Sequence, residues 1–222
     1  IADKKTPVAE YKLLEKVHPH FRFITCDEQE KKWKDLSESI GWNSIDRRNL
    51  GFLEALEQGA DIIATVDDDN IPYDDWGENL IVGTTSTVDV YTSKETVCDP
   101  LAVQNVPYWH RGYPIQLYSQ RKNVRYLGKQ NKFIHVQADL WDGDPDIDSI
   151  ARAMYAPCAK FNDFKPYCFD RLVPFNSQNT FLHKSVFSDY MCLPHIGRMD
   201  DIWGGYLLQK EFPKSLVFNR RS

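Results

Sequence analysis

The segment Ile63-Ala64-Thr65-Val66-Asp67-Asp68-Asp69-Asn70 constrains the fold of this chain more than any other. An apolar run of strand length, from Asp61 to Val66, delivers three consecutive carboxylates to its C-terminal end. In open α/β sheets that end faces the crevice where ligands bind. Adjacent carboxylates repel one another, so the triplet calls for a counter-charge. A divalent cation bridging to a diphosphate supplies one, and hard oxygen ligands suit Mg²⁺ or Mn²⁺. The other reading is a solvated acidic turn. The preceding residues read as a helix from about Asp46 to Gln58. Leu50, Leu53 and Leu56 point inward, and Gly59 stands where a left-handed cap falls. Helix and strand alternate in this way through the first 70 residues, which predicts an α/β domain with a mostly parallel sheet.

The remaining elements follow from local pattern. Residues 8–17 read as a helix and 21–25 as a short buried strand. Asp27 with Glu30 resembles a capping box, opening a helix that fades before Gly41. Strands are expected at 88–92, 113–118, 133–138 and 179–183. Helices are expected from Asp146 or Asp148 through Met154 and over 200–211. At 222 residues, 42% hydrophobic and 13% aromatic, the chain can bury a substantial core. One domain over 1–222 is expected, in two intimately packed halves over about 1–72 and about 73–222. The formal net charge of −5 argues against a nucleic-acid binder. No stretch approaches the roughly 20 apolar residues that span a bilayer. The abrupt start at Ile1-Ala2-Asp3 reads as a trimmed domain. Membrane association is therefore expected only through parts not in this chain, and Golgi lumen and cytoplasm both stay open as locations. The five cysteines form no CxxC pair, so a structural zinc site is not expected.

Two arginines, Arg47 and Arg48, occupy the first turn of the predicted 46–58 helix, where the helix dipole disfavours cations. A nearby anion compensates, and arginine suits phosphate. The order Arg48-Asn49-Leu50-Gly51, apolar helix, Gly59-Ala60, strand, Asp67-Asp68-Asp69 resembles the Arg-Asn-x-Gly helix and Asp-x-Asp strand of GT-A glycosyltransferases. That resemblance implies a GT-A-type (Rossmann-like) open mixed sheet flanked by helices. It also implies a metal held by Asp67 and Asp69, and nucleotide contacts from Asp3, Lys5, Arg47, Arg48, Asp67 and Asp68.

Four later motifs narrow the resemblance. They are Arg111-Gly112-Tyr113-Pro114, Pro145-Asp146-Ile147-Asp148, Asn176-Ser177-Gln178-Asn179-Thr180 and Asp201-Ile202-Trp203-Gly204-Gly205-Tyr206. Together with the triplet they resemble the reversibly glycosylated polypeptides (UDP-arabinopyranose mutases) and the STELLO-like Golgi proteins, over roughly residues 1–210. The group implies a metal-dependent glycosyltransferase that moves a sugar from a nucleotide diphosphate sugar, UDP first, to a glycan, a protein-linked acceptor or another hydroxyl, with inversion. A UDP-sugar pyranose/furanose mutase and a non-catalytic scaffold are the alternatives. Asn70-Ile71-Pro72 after the triplet follows the STELLO-like pattern, where the mutases have a cysteine, and this favours a transferase. Gly204-Gly205 departs from that pattern, which often has an arginine there. In the transferase reading Asp200 or Asp201 takes the acceptor proton, a step that contributes about 10²–10⁴-fold; either residue can also simply cap the helix. Arg111, Asp146 and Asp148 are candidates for donor-sugar or loop contacts, and Asp142 and Asp144 for ordinary loop roles. Trp203 is a stacking platform or a core residue. His183 and His195 are minor candidates for an extra metal ligand.

Overall fold

A computed structural model describes residues 1–161 and 164–220. Contacts divide the chain into two units, Ile1–Ala60 with Met191–Asp200, and Asp61–Tyr190 with Asp201–Ser222. The division falls just before the aspartate-bearing strand, which belongs to the second unit.

The first unit carries α1 (Val8–Val17), α2 (Cys26–Lys32), α3 (Lys34–Ile40) and α4 (Arg48–Glu57). Thr25, not Asp27, caps α2. Its side chain accepts from the Glu28 N–H while Glu28 reaches back to the Thr25 N–H, so the capping box lies two residues earlier than predicted. The same bonds correct the expected strand at 21–25. Glu15 takes the Phe23 N–H and Glu28 takes the Thr25 N–H, leaving Ala2 N–H to Ile24 carbonyl as a single strand-like bond. In α4, Leu50 and Phe52 are buried, but Leu56 is 45% exposed, which corrects its inward placement. Gly59 closes the helix with φ +75°, a left-handed conformation that suits glycine.

The second unit holds β1 (Ile62–Val66), β2 (Thr85–Ser93), β3 (Val124–Phe133), β4 (Val136–Asp139), α5 (Ser149–Tyr155), β5 (Tyr167–Phe169), β6 (Asn179–His183) and β7 (Leu216–Asn219). It also holds α6 (Asp200–Glu211), apart from its first residue. The strands form one seven-stranded open mixed sheet in the order β1-β6-β4-β7-β5-β2-β3. Burial follows that order. The inner strands β4, β5 and β7 are buried throughout, β6 nearly so, and the edge strands β1 and β3 expose much of their length. Val88, Val90, Ile134, Cys168 and Val217 form a core cluster. The architecture is α/β and consistent with the expected GT-A-like, Rossmann-type arrangement. The sheet is not mostly parallel, however. Only β4–β7 and β2–β5 run parallel, and the other four pairings are antiparallel. Parallel neighbours need crossover connections, usually helical. The helix–strand alternation of the first 70 residues ends at β1, and beyond it the described α-helices are α5 and α6 alone.

The strand predicted at 113–118 is instead a 3₁₀ turn, Ile115–Gln120. Pro114 holds φ at −63°, and the Leu117 N–H donates locally to the Pro114 carbonyl. Among the described residues no helix is long and apolar enough to cross a membrane.

Candidate functional site

β1 is tied to the segment 177–183 along its length. It pairs antiparallel with β6 from Ile62↔His183 to Val66↔Asn179. Beyond the last pair the Thr65 hydroxyl donates to the Ser177 carbonyl at 2.9 Å, and the Asp67 N–H to the Gln178 carbonyl at 3.2 Å. The Asn70 N–H then bonds back to the Asp67 carbonyl and closes a turn. Asp67 is half-buried in that turn, and Asp68 and Asp69 are exposed. Asp69 and Asn70 open onto a cleft of about 460 Å³, whose walls also include Tyr73, Trp76, Trp141, Asp142, Asp144, Gln178 and Asn179. Trp76 is fixed there by an indole N–H bond to Asn179 (3.1 Å) and by packing on Phe181 (5.3 Å between centroids). The Trp141 indole donates to the Asp144 carbonyl, and Asp142 accepts from the Phe161 N–H and the Tyr73 hydroxyl.

A second cluster begins one residue from Ser177. Arg111 Nε donates to Asp146 Oδ2 at 2.6 Å, and Asn176 Nδ2 donates to the same oxygen at 2.8 Å. The other face of the Arg111 guanidinium lies 3.7 Å from Asp201 Oδ1. Asp201 is 2% exposed. Its Oδ2 accepts from the Ser177 N–H and hydroxyl, and its Oδ1 from the Ile202 N–H. The four motifs singled out after the triplet therefore meet in space, and Gln178 links them to it.

Two glycines make this meeting possible. A Cβ on Gly112, which has φ +90°, would stand 2.7 Å from Ile202 Cγ2; one on Gly205 would stand 2.6 Å from Phe175 Cε1. Gly205 of the Gly204-Gly205 pair thus has a packing reason. Gly112→Ala and Gly205→Ala are each expected to cost about 1–3 kcal/mol of stability, read as a lower denaturation midpoint. Tyr206 donates to the Gly112 carbonyl and Tyr113 to the Leu117 carbonyl. Burial pushes the Tyr113 phenol up to about 12 and raises that of Tyr206, so both act as neutral donors, not proton acceptors.

The other predicted site residues are divided between the two units. Asp148 caps α5, accepting from the Ile150 N–H at 2.8 Å, and Asp144 pairs with Arg152. Trp203 is 51% exposed on α6 and packs against Tyr206. His183 lies at the far end of β6 from Asn179, four residues or about 13 Å away, where it bonds to Ser185. Asp3, Lys5, Arg47, Arg48, Asp200 and His195 belong to the first unit. There Asp3 accepts from the Asn43 N–H, and His195 bonds to the Ser39 carbonyl. Lys5 is exposed, Arg48 half-buried and Asp200 buried. Arg47 is 3% exposed and donates to Gln29, Ser37 and the Gly41 carbonyl, with its guanidinium 3.5 Å from the Trp42 ring. Those bonds satisfy its buried donors inside the unit. Asn49 exchanges two hydrogen bonds with the Cys192 backbone, and Gly51 leaves room for Ile1.

Sequence reasoning did not pick out Trp76 and Trp141 as cleft residues, and Ser177 and Gln178 entered only within a quoted motif. The two tryptophans in polar segments beside the triplet and beside Asp142 were the available signal.

Comparison with known proteins places these features beside two Arabidopsis thaliana proteins described as probable glycosyltransferases, STELLO1 and STELLO2. Each is 25% identical to this chain over 213 residues, covering 85% of it and 27% of the relative. The chain spans about a quarter of the length of these relatives. No family model matches it. The similarity supports a distant, glycosyltransferase-like relationship.

Proposed function

We propose that this chain carries the donor-binding site of a glycosyltransferase that uses a nucleotide diphosphate sugar, with UDP the first choice of carrier, and transfers the sugar to a hydroxyl of a glycan or protein-linked acceptor. One observation carries the reading. An edge strand ends in the aspartate triplet and presents Asp69 at the mouth of a cleft with aromatic walls, and the backbone bonded to the triplet leads into the Arg111–Asp146–Asp201 cluster. The distant similarity to the Arabidopsis proteins points the same way.

The carboxylates fit a divalent cation. Among the described residues no group of three or more His, Cys, Asp or Glu converges as a metal cage. Mg²⁺ and its relatives commonly take only one or two carboxylates, and phosphate oxygens and water complete the shell. Asp69 suits this role because its carboxylate is exposed and has no hydrogen-bond or ion-pair partner among the described residues, and Asp67 stands two residues away. Bound Mn²⁺ or Mg²⁺ would neutralise charge developing on the diphosphate leaving group.

The protein's own groups supply position. Asp146, itself bonded by Asn176, holds Arg111, and Asp201 holds both Arg111 and the backbone of Ser177, whose neighbour Gln178 anchors the triplet. We therefore assign Asp201 to positioning, since its two oxygens are occupied by the Ser177 and Ile202 groups and by the Arg111 guanidinium. Asp200 is the proposed base, by its place in the chain. Asp201→Asn is expected to cost about 1–3 kcal/mol of stability and to raise KM for the donor along with any fall in kcat. A pure kcat loss with unchanged melting temperature would show that Asp201 is the base instead.

A thermal-shift screen of nucleotides and nucleotide sugars with and without Mn²⁺ tests the function. A specific donor at about 100 times its Kd should add about 2.7 kcal/mol of stability by mass action, and only with the metal. No shift from any nucleotide would overturn the proposal.

A further inference from the structure

Resting on that reading, we propose that Trp76 and Gln178 form the subsite for the transferred sugar. Trp76 stacks on the C–H face of a pyranose ring, and the Gln178 carboxamide bonds its hydroxyls. Both residues line the cleft into which Asp69 opens.

Trp76 is held from several sides. Its indole N–H donates to Asn179 Oδ1, and its ring packs on Phe181. Both partners are buried residues of β6, and Asn179 is the register partner of Val66 at the end of β1. The chain around Trp76 is tied to further strands. Asp75 pairs with Arg220 just beyond β7, the Asn79 carbonyl accepts from Asn219 of β7, and the Ile81 N–H donates to Gln137 of β4. The ring is therefore fixed before a ligand arrives, which spares binding the cost of ordering it. With its one polar atom bonded to Asn179, the ring offers the cleft apolar surface, which suits a C–H face. The Trp141 indole, by contrast, bonds to the Asp144 carbonyl three residues along its own loop.

Gln178 supplies the polar half. Its carbonyl accepts from the Asp67 N–H and from Asn70 Nδ2, and its N–H donates to Asn176 Oδ1. Its side-chain carboxamide has no hydrogen-bond partner among the described residues. An amide carries two donor hydrogens and an acceptor oxygen, so it serves hydroxyls that donate and hydroxyls that accept. A pyranose presents C–H faces and a hydroxyl rim, and this pair of side chains matches both.

Protein labelled with 5-fluorotryptophan reads the ring directly, with the Trp76 signal assigned from Trp76→Phe. With Mn²⁺ present, the tightest-binding of UDP-glucose, UDP-galactose and UDP-xylose should move that signal, and UDP should not. In calorimetry Trp76→Ala and Gln178→Ala should each weaken that UDP-sugar by about three- to tenfold and leave UDP affinity unchanged. Trp76→Leu, which keeps apolar volume over Phe181, should show the same loss if the alanine variant folds poorly. A Trp76 signal that stays put while the UDP-sugar binds, or equal losses for UDP and the UDP-sugar, would overturn the subsite and leave the donor site standing. A signal moved as far by UDP alone would put the base there and overturn it too. If no nucleotide binds, the functional reading falls, and methyl glucoside added alone decides the subsite: a shifted Trp76 signal keeps it, an unshifted one removes it.

Discussion

Asp69→Ala is expected to weaken Mn²⁺-dependent UDP binding by more than about a hundredfold in calorimetry, while leaving the melting temperature within error. The magnitude follows from chemistry at the cation. Loss of an outer-sphere partner already costs about 10–100-fold in metal affinity, and Asp69 is proposed as a direct ligand. The unchanged stability follows from exposure, because a surface carboxylate without a partner contributes within about 0.5 kcal/mol. Asp68→Ala serves as the neighbouring control. It removes the same charge from the same turn, but that residue is not among those lining the cleft, so it should reduce affinity far less. Wild-type affinity in the Asp69 variant would remove the central assignment.

The largest loss of stability should come from Asp99→Ala, at about 3–5 kcal/mol. Asp99 is fully buried and Arg121 is 5% exposed. Asp99 Oδ2 accepts from Arg121 Nε, and Oδ1 accepts from the N–H groups of Leu101 and His110. Arg121 also donates to the carbonyls of Leu101, Val106, Pro107 and Tyr108. Removing Asp99 leaves an uncompensated guanidinium in the interior, which costs more than the ion pair itself contributes. The double variant Asp99→Leu with Arg121→Met should recover part of the loss in denaturant titrations. The pair staples the segment from 99 to 121, which presents Arg111, so donor binding should weaken along with stability. A single variant as stable as wild type would refute the buried-pair account.

Legibility in the sequence tracked how local the cause was. α1 and β6 stand where their patterns put them, and α6 begins and ends at its predicted residues, because 3.6- and 2-residue periodicities are written in consecutive side chains. β1 was legible for the same reason, and the triplet declared itself by charge alone. β3 was missed over most of its length because Val124–Phe133 is a polar, largely exposed edge strand that draws its bonds from β2 and buries little. β5 and β7 are short, and their identity as strands comes from neighbours distant in sequence. The capping box was misplaced by two residues because two acidic residues, Glu28 and Glu30, stood at the correct interval from two candidate caps. Arg47 carried a functional signal in the sequence, yet its donors are taken up by Gln29, Ser37 and Gly41, partners 6 to 18 residues away.

By itself the sequence determined that an apolar strand ends in three carboxylates, that Asp148 can cap a helix, and that glycines stand at Gly112 and Gly205. These are properties of adjacent residues, set by sterics and charge over a few ångströms of chain. Only the tertiary structure decided that Arg111, Asp146, Asn176 and Asp201 share one hydrogen-bonded cluster, and that two tryptophans and two further aspartates wall the cleft beside Asp69. Those meetings join residues up to about ninety positions apart, and sheet pairing and glycine-permitted close packing bring them together.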